Sequence, residues 1–129
     1  MKNIVTILKQ IRRYAYLDNE EYYKKIKIKA GYQPMYKEKR ENTKLHIYLE
    51  TLSDLQLRNS VLCAMLGRDY SRHYGGIRGI IKPSDYLIYL RSQREFLGLT
   101  RRHDLDFLFN NRLEVVSYID KVLRIIGEE

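Results

Sequence analysis

Apolar residues recur at helical spacing in five separate stretches of this chain, and that periodicity limits the fold more than any other feature. Ile4, Ile7, Leu8, Ile11, Tyr14 and Ala15 fall on one face of a helix over residues 3–17. Leu45, Tyr48, Leu49 and Leu52 repeat the pattern, as do Leu57, Val61, Ala64 and Met65 over residues 54–66. Tyr86, Leu87, Leu90 and Leu97 follow, then Leu105, Phe109, Leu113 and Val116. Ile119, Val122 and Ile126 continue that last face with a drift, which a break near Asn110-Asn111 explains. Side chains three and four apart share a face only in a helix, so the expected fold is all-α. It is read as one compact domain over residues 1–129 with at least five helices.

Boundary signals divide the stretches. Asp18 with Glu21 three residues later forms a capping box and predicts a second helix to about Ala30, stopped by Gly31. Lys25 to Ala30 also alternates with period two, so the rival reading of residues 25–39 is a small hairpin across Gly31 and Pro34. Residues 31–42 read as a charged loop. Ser53 and Gln56 make another capping box, and Gly67 reads as the stop of the 54–66 helix. Three glycines in five residues, Gly75, Gly76 and Gly79, predict a long connection over residues 67–83. Pro83 opens the next helix and Gly98 ends it; Thr100 or Asp104 caps the last helical stretch.

The chain has 129 residues, 44% of them apolar, which fills one core and not two. Its single cysteine, Cys63, rules out an internal disulfide framework and favours a reducing, cytoplasmic setting. No apolar run reaches the length of a membrane span, so no membrane role is expected.

Net charge is +8, unevenly placed. The balance is +6 over residues 1–50, +5 over 67–103 and −3 over 104–129. Such asymmetry concentrates anionic partners near the basic regions. The chain also carries twelve tyrosines and no tryptophan, several beside cations: Arg13-Tyr14, Tyr22-Tyr23-Lys24-Lys25, Tyr36-Lys37 and Arg72-His73-Tyr74. Cations neutralise phosphates and aromatic rings stack on unpaired bases, so this interleaving points to RNA or a ribonucleoprotein. The expected contact residues are Lys24, Lys25, Lys37, Lys39 and Arg40 in the first basic region. In the second they are Arg72, Tyr74, Arg78 and Lys82. Tyrosine and arginine equally suit a protein interface, so a protein partner with an acidic surface, or membership of a larger assembly, is the alternative. Tyr14, Tyr48, Tyr86 and Tyr118 lie on apolar faces and are expected in the core.

Catalytic sets are sparse. No GxxxxGK[ST] sequence accompanies the glycines, so no nucleotide cofactor is expected. His103-Asp104-Leu105-Asp106 lacks a second histidine at helical ligand spacing and reads as capping and solubility, not as a metal site. The run Arg68-Asp69-Tyr70-Ser71-Arg72-His73 resembles the Arg-polar-x-x-x-His motif of HEPN ribonucleases, which are all-helical, metal-independent and usually dimeric. The resemblance implies His73 as general acid/base and Arg68 as stabiliser of phosphoryl charge, with Asp69 at the polar position. Gly75-Gly76 stand where that family's motif continues in a helix. Size, charge and the missing catalytic set give a general likeness to small phage and mobile-element proteins, including anti-CRISPR inhibitors. That likeness implies a non-enzymatic protein that occupies a nucleic-acid-handling machine.

Overall fold

The computed structural model describes residues 4–29, 39–77 and 82–127, with side chains throughout these spans except at 26–29 and 70–77. Six α-helices and one short 3-10 turn make up the described residues, with no strand among them. They are α1 (Ile4–Lys29), the turn Arg40–Asn42, α2 (Lys44–Glu50), α3 (Asp54–Ile77), α4 (Pro83–Leu97), α5 (Arg101–Asn110) and α6 (Arg112–Ile125).

The apolar faces expected from the periodicity meet in one core. Ile7, Leu8, Ile11 and Ala15 of α1 join Leu45 and Leu49 of α2, Leu57, Val61 and Ala64 of α3, Leu108 of α5 and Ile119 and Val122 of α6. Each fully buried leucine or isoleucine contributes about 1.5–3 kcal/mol. Tyr14, Tyr48, Tyr86 and Tyr118 pack against this cluster, as their positions predict. Helix α6 packs on both α3 and α1, whereas α4 packs chiefly on α3 and adds no residue to the central cluster.

Three features differ from the sequence reading. Asp18 does not start a second helix, because α1 runs unbroken from Ile4 to Lys29. Its buried carboxylate turns inward and accepts the backbone N–H groups of Lys44 at 3.1 Å and Leu45 at 2.7 Å. Asp18 therefore caps α2 from across the bundle, alongside the N-cap Thr43. The same continuous helix bears out the helical reading of residues 25–29 over the rival strand pairing. The rest of the hairpin reading, at 30–38, lies outside the described residues.

Gly67 does not stop a helix either. Helix α3 passes through it and through Gly75 and Gly76 to Ile77, so residues 67–77 are helical where a connection was expected. A Cβ at Gly67 would stand 2.0 Å from the Tyr118 carbonyl oxygen. The glycine is there to let α3 and α6 approach closely, a tertiary demand that outweighs its poor helix propensity. The third difference lies in the apolar faces: Leu113 and Ile126 are exposed, because the break at Asn111 rotates α6 relative to α5, and Leu97, expected on the inner face of α4, is exposed at its last turn.

Other signals hold. Ser53 N donates to Gln56 Oε1 at 2.9 Å and Gln56 N to Ser53 Oγ at 3.1 Å, which is the expected reciprocal box. Pro83 stands in the first turn of α4, and Gly98 ends it with φ +66°. Thr100 caps α5, with its own N–H donating to His103 Nδ1 at 3.0 Å.

Candidate polyanion-binding face

The unbroken α1 aligns side chains that a break at Asp18 would have separated. At 100° per residue, Lys9, Arg13, Tyr16, Glu20, Tyr23 and Lys24 fall on a single stripe opposite the buried Ile7, Leu8 and Ile11. All six are exposed. The stripe runs about 22 Å from Lys9 to Lys24. It interleaves three cations with two aromatic rings, and Glu20 is its one acid. Tyr16 lies one turn before Glu20, and its hydroxyl donates to that carboxylate. This bond, reinforced by the negative charge, holds the phenol above its usual pKa and therefore neutral. A second aromatic pair lies beside the stripe, with the Tyr22 and Tyr23 rings 6.0 Å apart edge to face and Arg112 over Tyr22 at 5.5 Å.

Along one flank, α1 and the start of α2 form an open depression lined by Leu17, Glu20, Glu21, Lys24, Lys25 and Lys44. Glu21 lies between two lysines, 3.2 Å from Lys25 Nζ and 3.5 Å from Lys44 Nζ. Hydrogen bonding and charge from Lys25, then charge from Lys44, hold its carboxyl below the usual range. Two lysines against one carboxylate leave the cluster net positive.

The residues expected to bind from sequence fare differently. Lys24 and Lys25 lie on α1, and Lys24 is on the stripe. Lys39 is exposed at the start of the 3-10 turn, and Lys82 is exposed just before α4. Arg40 is committed to the fold. Its Nη1 contacts Asp106 Oδ1 at 2.6 Å, its Nε donates to His46 Nδ1 at 3.2 Å, and its guanidinium lies 4.9 Å from the Phe109 ring centre. Arg112 covers the same ring at 4.4 Å. Lys37 and Arg78 lie outside the described residues. Arg72 and Tyr74 fall on α3, with side chains outside the description. Sequence reasoning missed Lys9, Arg13, Tyr16 and Tyr23 as a group, because the expected break at Asp18 divided them. The signal that would have joined them is the 100° spacing carried across residue 18.

The ribonuclease-like motif lies on helix α3, which continues through Gly75-Gly76 to Ile77. Arg68, however, is engaged locally. Its Nε donates to Asp69 Oδ1 at 2.8 Å and its guanidinium lies 5.8 Å from the Phe107 ring centre. Asp69 is buried and also accepts from the Tyr86 hydroxyl at 2.5 Å, tying α4 to α3. The His73 side chain lies outside the description. Among the described residues, no group of three or more His, Cys, Asp or Glu could hold a metal ion, and no helix is long and apolar enough to cross a membrane. Family models, curated proteins and solved structures yield no match to this chain.

Proposed function

We propose that the protein binds RNA, or the RNA of a ribonucleoprotein, through the α1 stripe, without catalysing a reaction on it. One observation carries this reading: on the exposed side of a helix whose opposite face is locked in the core, three cations flank two exposed tyrosines, with Glu20 between the rings. Lysine and arginine supply phosphate attraction, and neutral phenol rings supply stacking on unpaired bases. A helix with this face also suits the inhibitor role that the chain's size and charge resemble, with the stripe occupying the RNA of an effector.

The experiment is fluorescence anisotropy with labelled single-stranded RNA across a salt series. The Lys9→Gln, Arg13→Gln, Lys24→Gln triple variant should bind more weakly. Its log-log salt slope should be shallower by about 2, given roughly 0.7 per neutralised phosphate. Absence of RNA binding by the wild type at low salt overturns the proposal, as does an unchanged slope in the variant. Incubation with RNA in EDTA separates binder from ribonuclease. No cleavage is expected, and cleavage lost in His73→Ala would replace the binding reading with the enzymatic one.

A further inference from the structure

We infer that the outer face of α4 is a self-association surface, on which two copies of this chain pair antiparallel with Ser92 on the two-fold axis. The inference stands apart from the RNA reading and rests on different residues. Helix α4 packs chiefly on α3 through Tyr86, Leu87 and Leu90. On its opposite side Ile88, Tyr89 and Phe96 are exposed, and Phe96 is 86% exposed, the most of any large apolar residue described. Isolated apolar residues on a surface need no explanation, but three on one face of one helix form a patch.

The order of residues on that face makes it self-complementary. Ile88 and Phe96 lie one turn to either side of Ser92. An antiparallel two-fold contact centred on Ser92 sets Ile88 at the level of the partner's Phe96, and Phe96 at the level of the partner's Ile88. The serine at the centre is small enough for two backbones to approach. The charges agree with the same register. Arg91 and Glu95 are both exposed and edge the patch on its Ile88 side. In an antiparallel pair the same edge of each helix meets, and Arg91 lies within two residues, about 3 Å along the axis, of the partner's Glu95. The symmetry repeats that ion pair, so two apolar contacts and two opposite-charge contacts form together. A single helix pair lies at the small end of specific interfaces, so the expected dimer is a micromolar equilibrium and not an obligate one.

Sedimentation velocity over a concentration series tests this, with circular dichroism confirming that each variant folds. The wild type should shift from the 15.6 kDa chain toward twice that mass as concentration rises. Phe96→Glu should weaken the dimer by about tenfold or more, since it places charges in the apolar contact. Arg91→Glu alone and Glu95→Arg alone should each weaken it, because like charges then face one another. Mixing those two single variants should restore dimers as heterodimers, in which each acidic edge meets a basic one. A wild type that stays monomeric into the millimolar range overturns the inference. So does a dimer indifferent to Phe96→Glu, or a mixture that fails to recover association.

Discussion

Arg94 and Asp104 face each other in a contact that excludes water, with side chains only 6% and 2% exposed, and join α4 to α5. Arg94 Nη2 reaches Asp104 Oδ2 at 2.5 Å and the carbonyl oxygen of Thr100 at 3.3 Å. Burial pushes the Asp104 carboxyl above its usual range, while the Arg94 charge and hydrogen bond pull it back down. Removing one partner therefore does more harm than removing both. Arg94→Met should cost about 3–5 kcal/mol at neutral pH, because an unpaired carboxylate is left inside. Arg94→Met with Asp104→Leu should recover much of that loss. The pH dependence follows from the raised folded-state pKa. The Arg94→Met deficit should be smallest below the unfolded carboxyl pKa, where Asp104 is protonated in both states. It should grow as pH rises through the raised folded value. Urea titrations of the three proteins at several pH values check this.

Gly67→Ala gives a test with opposite signs for two mechanisms. Helix propensity alone would make alanine about 1 kcal/mol more stable inside α3. Contact with the Tyr118 carbonyl, 2.0 Å from the new Cβ, forces α3 and α6 apart. The expected outcome is destabilisation by about 1–3 kcal/mol, read as a lower thermal midpoint.

Arg40 and Lys24 should separate stability from binding. Arg40→Gln removes the contacts to Asp106, His46 and Phe109, so its main effect is a loss of about 1–3 kcal/mol of folding stability. Lys24→Gln, on an exposed stripe, should leave stability within about 0.5 kcal/mol and act only on RNA affinity. Chemical denaturation beside anisotropy distinguishes the two.

Tyr16 and Tyr23 should contribute without charge. Replacing either with Leu should weaken single-stranded RNA binding by about 1–3 kcal/mol while leaving the salt slope unchanged, since no phosphate contact is lost. A change in slope would assign them another role.

Cys63 is a quiet thiol. Burial pushes its pKa up to about 11, against which the Arg91 charge acts only weakly. Thiolate forms only as pH approaches that value, so at pH 8 the folded protein should alkylate about a hundredfold more slowly than the unfolded chain. Timed iodoacetamide labelling with and without urea measures the ratio.

The helices were legible because their signals are local. Ser53-Gln56, Pro83 and Gly98 mark ends by chemistry that acts within one turn, and the apolar faces of α1, α2 and α3 follow from spacing alone. Asp18, Gly67 and Arg40 misled for a shared reason. Each has a side chain, or lacks one, on account of a partner remote in sequence: the α2 N-terminus, the Tyr118 carbonyl, and Asp106 with Phe109. A capping residue, a helix stop and a free cation read the same as these until the partner is known. The candidate face was half visible. Lys24 and the neighbouring tyrosines were evident from composition, but their alignment with Lys9 and Arg13 required α1 to be one helix.

The Asp18 carboxylate also bears on the order in which the chain folds. Helix α2 has only seven residues, fewer than an isolated helix needs in water. Its first turn is completed by a side chain 26 and 27 positions earlier. Helix α2 is thus assembled on α1 and does not form before it. The Lys44 and Leu45 amides should exchange with solvent only when α1 and α2 part, which makes those two protons reporters of the opening of the bundle itself.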